Sequence, residues 1–175
     1  MPKAAMSDIV CSIARTLDVV GERWTPLILR DLFVGLNRFE DIRRDLGIAT
    51  NVLTARLETL QQHGIVETRA YQSNPVRYEY VLTDQGRDLY PVLTMLITWG
   101  DKWLAPEGPP ALVVHDDCGR ITSGIVTCTN CHTPLTADNV HWLQGPGAHR
   151  APGTMLVGDY LQPPPRRAGH DGVPT

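Results

Sequence analysis

Three cysteines and one histidine in the second half of this 175-residue chain are spaced like the ligands of a metal ion. His115 and Cys118 are three positions apart, and after nine intervening residues Cys128 and Cys131 repeat that spacing. A short loop of this kind places both side chains on one side of a tight turn, and two such pairs supply the four tetrahedral ligands of a closed zinc site. The pattern therefore predicts one structural Zn²⁺ bound by His115, Cys118, Cys128 and Cys131.

The identity of the fourth ligand is less well determined by spacing than that of the three thiols. His132 and His141 are alternatives to His115, and three unliganded cysteines or one disulfide would be alternatives to a metal. Short β-rich segments at Leu112–Val114 and Gly124–Val126 predict two strands, so this part of the chain is interpreted as a small zinc ribbon.

Catalytic zinc is not indicated. A zinc deaminase needs His-x-Glu and a later Pro-Cys-x-x-Cys, but Thr127 precedes Cys128 and no Glu stands two residues after a His. The HExxH and GxSxG motifs of hydrolases are absent as well. We therefore predict that the protein is not an enzyme.

Composition describes a globular protein with one domain and a smaller extension. Hydrophobic residues make up 42% of the chain and the net charge is −3, which excludes wholesale disorder. The sequence lacks both an apolar run of the roughly 20 residues that a membrane span needs and a secretion signal. These features predict a cytoplasmic protein, in which metal binding is a better use for thiols than disulfides.

Proline and glycine divide the chain near residue 104. Residues 1–104 contain 10 of them and residues 105–175 contain 19. We place the boundary at Ala105–Pro110, where the sequence APEGPP cannot continue a helix. The prediction is a first domain at 1–104, a zinc-ribbon-like extension at 105–160 and a disordered tail at 161–175.

The first domain reads as mainly α-helical with one β-hairpin. Apolar residues at helical spacing predict helices at Ser12–Val20, Thr25–Phe33 and Phe39–Leu46, and a fourth from a Thr50 or Asn51 cap to Gly64. Thr25 is predicted to cap the second helix. β-branched and aromatic residues then predict strands at Ile65–Tyr71 and Val76–Leu82.

One long helix is predicted to end this domain. It runs from a Thr83 cap to about Leu104, with a kink at Pro91. Its apolar residues form two stripes instead of one. One stripe would pack on its own domain, so the second predicts a partner surface, most simply in a homodimer.

The order helix, Gly47 turn, helix and hairpin predicts a winged helix-turn-helix that binds double-stranded DNA. In such a unit the start of the second helix meets base edges in the major groove. Leu53, Leu57 and Leu60 define its buried face. Of the residues on its other sides, those near the helix start are the predicted groove readers: Thr50, Asn51 and Thr54. The alternative for Thr50 and Asn51 is that they only cap the helix.

Phosphate contacts would depend on arginine, because the chain has only two lysines. The candidates in and around the helix-turn-helix and hairpin include Arg38, Arg56, Arg69 and Arg77. Acidic residues nearly balance them, so a solvated face of mixed charge is the alternative. Arg69 and Arg77, near the turn of the hairpin, are the better candidates.

The ordered residues from about 8 to 104 closely resemble the HxlR-type winged helix-turn-helix regulators, which are related to the MarR group. The matching pieces are Cys11, Leu17, Gly21, Trp24, Arg38-Phe39, Ile48–Leu57, Gly64, Tyr71, Pro75, Tyr80, Leu82-Thr83-x-x-Gly86, Pro91 and Trp99. The resemblance implies a dimeric, DNA-binding bacterial transcriptional regulator. The Cys/His extension with Gly145-Pro146-Gly147 also resembles extensions of some actinobacterial HxlR-type proteins.

The resemblance adds a redox alternative at Cys11. Some HxlR-type regulators use a cysteine at the matching position to sense oxidants or electrophiles, and a thiol near a helix N-terminus is acidified. The alternative is an ordinary buried cysteine. The expected function is sequence-specific transcriptional regulation by a homodimer, with an unidentified small-molecule effector as a candidate partner. The alternatives are redox sensing through Cys11 and a zinc-stapled protein-interaction module.

Overall fold

The described part of the chain, residues 6–161 of a computed structural model, forms two compact units. Residues 16–125 make up the larger unit, and residues 6–15 and 126–161 belong to the other. The predicted tail lies outside the described residues, apart from Leu161. The fold is mainly helical with a two-stranded hairpin, as the sequence predicted.

Four helices open the chain after a short 3-10 turn at Met6–Asp8: α1 at Ser12–Val20, α2 at Thr25–Phe33, α3 at Phe39–Leu46 and α4 at Thr50–Gln62. These bounds agree with the helical spacing of the apolar residues. Gly47 ends α3 in the left-handed conformation, at φ 60°. The predicted Thr25 cap is wrong. Trp24 holds the N-cap position without a side-chain hydrogen bond, and Thr25 is the buried first residue of α2.

The hairpin follows α4 directly. Strand β1 (Val66–Ser73) pairs antiparallel with β2 (Val76–Leu82), from Val66 opposite Leu82 to Ser73 opposite Val76. The ladder slips between Ala70 and Gln72. Because pairing resumes after this bulge, β1 extends two residues beyond the predicted end.

The single helix predicted after Thr83 is two helices. Thr83 caps α5 (Asp84–Arg87), as predicted, and α6 spans Tyr90–Leu104. Pro91 therefore stands in the first turn of α6, where the lack of an N–H costs no hydrogen bond, and not inside a longer helix where it would cause a kink.

The core of the larger unit joins α2, α3 and α4 to the base of the hairpin. Its fully buried side chains come from one face of each element: Ile28, Leu29, Ile42, Leu53, Leu57 and Leu60. Ile65, Val66 and Leu82 close it at the hairpin. This core fixes α4 through its three leucines and leaves the opposite side of that helix exposed.

A second hairpin follows α6, and its strands differ from the prediction. Strand β3 (Val113–His115) pairs with β4 (Arg120–Thr122), whereas Gly124–Val126 was the predicted second strand. The turn that ends at Gly119, which has φ +64°, is so tight that Arg120 already pairs with His115. The partner strand therefore lies before Gly124. Helix α7 (Val157–Tyr160) is the last element of the other unit.

Candidate nucleic-acid interface

The first turn of helix α4 is exposed. Thr50, Asn51 and Thr54 are exposed, while Leu53 and Leu57 are buried beneath them. Ala49 is the N-cap residue and makes no side-chain cap hydrogen bond. Neither Thr50 nor Asn51 is therefore the cap, and the capping alternative for these residues is wrong. The Val52 and Leu53 N–H groups both donate to the Ala49 carbonyl at 3.0 Å, so the side chains and N–H groups of Thr50 and Asn51 are the ones left for an outside ligand.

The far end of α4 is fixed to the base of the hairpin by Thr83. The Thr83 hydroxyl donates to the carbonyl oxygen of Gly64 at 2.6 Å, and the Thr83 N–H donates to that of Ile65 at 3.1 Å. The same hydroxyl oxygen accepts the N–H of Gly86 at 3.1 Å. One side chain thus connects the end of α4, the end of β2 and the start of α5, which sets the angle between the recognition helix and the hairpin.

A second set of contacts connects α3 to its neighbours. The Asn37 carbonyl accepts the N–H of Tyr80 on β2 at 2.7 Å. Arg30 on α2 donates to Asp45 at the end of α3 at 2.7 Å, and to Asp31 at 2.6 Å. Asp31 is fully buried, and its Oδ2 has no hydrogen-bond partner among the described residues. Burial raises the pKa of the Asp31 carboxyl, although the neighbouring Arg30 opposes that shift.

The four predicted phosphate ligands lie in different environments. Arg77 on β2 is exposed and makes no ion pair within the described part of the chain. Arg69 is paired with Glu79 across the hairpin, with Nη2 2.8 Å from the carboxylate. Arg56 is half-buried and 3.8 Å from Glu22. Arg77 is therefore the arginine of this hairpin most available to DNA, whereas Arg69 would first have to leave Glu79.

Arg38 has a partner that the residue pattern alone did not reveal. Its guanidinium lies 4.5 Å from the ring centroid of Tyr71, the residue at the bulge of β1. A cation over an aromatic ring is held in place without losing its charge. The only signal in the sequence was that Tyr71 and Arg38 both belong to the set of residues that resembles the HxlR-type regulators.

The first Cys/His pair is formed in the turn between β3 and β4. The His115 Nδ1 lies 3.4 Å from the Cys118 Sγ, and its Nε2 lies 3.6 Å from an Asp117 carboxylate oxygen. Gly119 has φ +64° and donates its N–H to the His115 carbonyl at 2.8 Å. The sequence spacing therefore does place these two side chains on one side of a tight turn.

The second pair belongs to the other unit of the chain. The Cys131 thiol donates to the Thr133 hydroxyl oxygen at 3.4 Å, and hydrogen bonds with Thr133 and then with Cys128 lower the pKa of the Cys131 thiol. His132 follows with φ 58°. No group of three or more His, Cys, Asp and Glu side chains among residues 6–161 has metal-binding geometry. The structure thus contains two pairs, and joint binding of zinc stays a prediction.

Cys11 is a half-buried free thiol immediately before α1. Its carbonyl accepts the N–H of Arg15 at 3.0 Å, so the residue stands at the helix start, as predicted. A redox role for it stays a prediction.

A helix-turn-helix with an exposed recognition helix, followed by a hairpin wing, defines the class of winged-helix DNA-binding proteins. Within that class, residues 19–108, slightly more than half of the chain, match the model of the HxlR-like helix-turn-helix family. The chain belongs to this family of transcriptional regulators. The prediction that it is not an enzyme is confirmed, because the family and the relatives below are regulators.

Known HTH-type transcriptional regulators of other organisms resemble the chain. An uncharacterised HTH-type transcriptional regulator of Mycobacterium tuberculosis (strain ATCC 25618 / H37Rv) is 44% identical over 137 residues, which is 78% of this chain and 87% of the relative. The similarity must therefore extend past residue 104. A second such regulator, from Synechocystis (strain PCC 6803), is 38% identical over 56% of this chain and 73% of its own length.

Solved structures agree with the fold. The crystal structure of PA1607, described as a candidate transcription factor, has a TM-score of 0.73 and 34% identity, and the match covers 81% of this chain and all of that one. The structure of PA1374 from Pseudomonas aeruginosa, described in the same way, has a TM-score of 0.55 and 36% identity, over 79% of this chain and 95% of that one. No helix in the described residues has the length and hydropathy to span a membrane.

Proposed function

We propose that the protein regulates transcription as a homodimer that recognises a specific double-stranded DNA sequence through α4. The observation that carries this proposal is the first turn of α4, where Thr50, Asn51 and Thr54 are exposed and Thr50 and Asn51 do not cap the helix. An Asn side chain can donate to and accept from an adenine edge at the same time, which gives base preference. The uncapped helix N-terminus favours a phosphate beside it.

The wing supplies the second contact in this proposal. Arg77 lies exposed on β2, next to the turn at Asn74-Pro75. A guanidinium there would grip the phosphate backbone in a fork and set the register of α4 without reading bases. Arg38 and Arg69 would add backbone contacts, Arg69 after exchange of Glu79 for phosphate.

The homodimer is proposed from helix α6. None of its residues is buried within the chain, and Val92, Leu96, Trp99 and Trp103 are 47–64% exposed. Their spacing of four, three and four residues places all four on one narrow stripe, the pattern of a helix seam in coiled coils. Two tryptophans on such a stripe are costly to leave in water, since fully burying one large apolar side chain is worth roughly 1.5–3 kcal/mol.

Parts of the other sides of α6 contact the chain itself, although Tyr90, Ile97 and Leu104 are also 40–70% exposed. Leu93 packs against the core, and Gly124 lies against the side formed by Thr94, Met95 and Thr98. The Gly124 N–H donates to the Thr98 hydroxyl at 3.0 Å. The Val92–Trp103 stripe, which carries two exposed tryptophans, is the side that we propose for a partner. A second copy of α6 fits it, because two-fold symmetry brings one apolar stripe against an identical one.

In vitro selection from random duplex DNA tests the DNA-binding proposal. The expected result is one enriched motif with two related half-sites about one helical turn apart, because a dimer places its recognition helices at that spacing. Protein that enriches no motif, or that binds all duplexes equally at physiological salt, would contradict sequence-specific regulation and favour a protein-interaction module.

Light scattering of a Leu96→Glu variant tests the dimer. The charge in the middle of the stripe should convert a dimer to a monomer with the same helical content. Val34→Glu is the matched control, because Val34 is 72% exposed at the end of α2 and outside the stripe. A wild-type monomer at micromolar concentration, or a Leu96→Glu dimer, would contradict the proposal.

A small-molecule effector stays a prediction as well. A cleft of about 230 Å³ is a place to seek it, and its lining includes Asn37, Glu67, Arg69 and Arg87. It lies beside the wing and not at Trp24 or Trp99. Its two arginines favour an anionic ligand over an apolar one.

A further inference from the structure

The cleft beside the wing is lined by two opposite charges that do not neutralise each other. Glu67 at the start of β1 and Arg87 at the end of α5 both belong to its lining. They form no ion pair with each other, and the Glu67 carboxylate has no partner at all within the described residues. Arg87 lies 3.9 Å from Asp84, in an exposed pair of the kind that contributes little. An unused carboxylate and a weakly paired guanidinium therefore line the same space.

The rest of the lining includes an apolar wall. Leu32 on α2 and Leu82 on β2 are 5% and 8% exposed, and half-buried Val81 pairs with Glu67 across the hairpin. Both leucines are part of the core, so this wall is already in place without a ligand. An apolar wall with a few placed polar groups is the usual composition of a small-molecule site.

We propose that this cleft binds a small zwitterion, an α-amino acid with an apolar side chain, whose carboxylate pairs with Arg87 and whose ammonium group pairs with Glu67. Arginine favours an anionic group, and the unused carboxylate of Glu67 adds the requirement for a positive charge on the same molecule. The apolar side chain of the ligand would lie on Leu32, Val81 and Leu82. Binding does not depend on DNA recognition, and only the role of this ligand as an effector rests on the proposed function.

The size and the charge balance of the cleft agree with such a ligand. Its volume of about 230 Å³ is below the range of roughly 300–1,000 Å³ that is usual for drug-sized ligands, so it suits a molecule as small as an amino acid. Arg69 also lines the cleft, but Glu79 already pairs with its guanidinium at 2.8 Å. The available charges, on Arg87 and Glu67, therefore sum to zero, as do those of a zwitterion. The Asn37 side chain makes no hydrogen bond within the described part of the chain, so its oxygen can accept a further ammonium proton.

Calorimetric titration of the full chain, without DNA and at low salt, tests the class of ligand. L-leucine, L-methionine and L-phenylalanine are the probes, and we expect a dissociation constant below about 1 mM for the tightest binder. That binder is then compared with two analogues that each lack one charged group. For L-leucine these are isocaproate, without the amino group, and isoamylamine, without the carboxylate. Each should bind at least about tenfold more weakly, and so should glycine, which has both charges but no apolar side chain.

Three results of these titrations would overturn the proposal. If none of the three amino acids binds at concentrations up to about 10 mM, the cleft is not a site for this class. If isocaproate binds as tightly as L-leucine, the cleft is a site for a plain anion and Glu67 has no part in it. If glycine binds as tightly as L-leucine, the apolar wall has no part in it.

Substitutions test which residue pairs with which charge of the ligand. Glu67→Gln should remove the preference for L-leucine over isocaproate, and Arg87→Gln should remove the preference over isoamylamine. Arg44→Gln is the matched control, because Arg44 is exposed and pairs with an acid three residues earlier at 3.8 Å, as Arg87 does at 3.9 Å. A Glu67→Gln or Arg87→Gln variant that weakens all ligands alike would overturn the assignment, since a change of fold and not of one charge would explain it. Because no DNA is present, a failure here is distinct from a failure to recognise DNA.

Discussion

Replacing Gly86 by alanine should destabilise the winged helix more than any other Gly→Ala change in it. A Cβ on Gly86 would stand 2.2 Å from the Ile65 carbonyl oxygen and 3.1 Å from a methyl group of Leu82. The Ile65 carbonyl oxygen cannot move away without breaking hydrogen bonds, because it accepts the Thr83 N–H at 3.1 Å and the Thr83 hydroxyl at 3.2 Å. Relief of the overlap must therefore separate the end of α4 from the start of α5.

The magnitude follows from two effects of opposite sign. Overpacking of this kind costs about 1–3 kcal/mol, and loss of the hydrogen bond from Thr83 adds about 1 kcal/mol. Alanine regains about 0.5–1 kcal/mol over glycine by reducing the entropy of the unfolded chain. We expect a net loss of about 1–3.5 kcal/mol in the free energy of unfolding.

Urea denaturation followed by circular dichroism, at matched protein concentration, measures this loss. Gly100→Ala in α6 is the matched control, because its Cβ would meet nothing within 4 Å. It should stabilise the protein by about 0.5–1 kcal/mol. A Gly86→Ala variant whose free energy of unfolding is within about 0.5 kcal/mol of the wild type would refute the reasoning. The hydrogen-bonded contacts of Thr83 with Gly64, Ile65 and Gly86, called here the Thr83 joint, would then shift easily and could not position α4.

Three further predictions concern the recognition helix, the wing and the buried acid. Asn51→Ala should cost about 1–3 kcal/mol in binding to the selected DNA site and weaken the preference at one base pair. Gln62→Ala, at the far end of α4, should change neither the affinity nor the preference. A loss of helix stability without a loss of base preference would count against base contact by Asn51. Arg77→Ala should weaken binding to all duplexes alike and lower the salt slope by about one, and an unchanged slope in gel-shift titrations would exclude a phosphate contact. Burial raises the pKa of the Asp31 carboxyl above 3.8. The protonated carboxyl therefore stabilises the fold at low pH, and that contribution is lost as pH rises through the folded-state pKa. In urea titrations the Asp31→Asn variant should become more stable relative to the wild type as pH rises from low to neutral, and a pH-independent difference would contradict this.

The sequence predicted the helices well because their apolar residues repeat at the helical period and glycines mark their ends. Leu53, Leu57 and Leu60 alone identified the buried side of α4, and the exposed side followed from geometry. It failed where one residue can serve two purposes. Pro91 is compatible with a kink or with a helix start, and only the break after Arg87 decides between them.

The second hairpin could not be placed from composition. Strands of three residues carry too little periodicity, and the β-branched residues after Gly124 look more strand-like than Arg120–Thr122. The turn at Gly119 overrides that preference by returning the chain at once. Pairings between distant residues, such as Arg38 with Tyr71, are equally invisible to spacing, since they depend on how the wing folds back towards α3.

The Thr83 joint lies between the helix proposed to recognise DNA, α4, and the helix proposed to form the dimer, α6. It holds the end of α4 on one side and, through α5, leads directly into α6, the helix proposed to pair with a second copy. A change at this joint should therefore alter the angle between recognition helix and dimer helix before it alters the groove-facing side chains. In a dimer that angle sets the distance between half-sites, so we expect Thr83→Val to relax the preferred half-site spacing while the preferred bases within each half-site stay the same. Selection of spacing libraries with the wild type and with Thr83→Ser as the control would show this, and a change in base preference instead would place the joint within the DNA-reading surface itself.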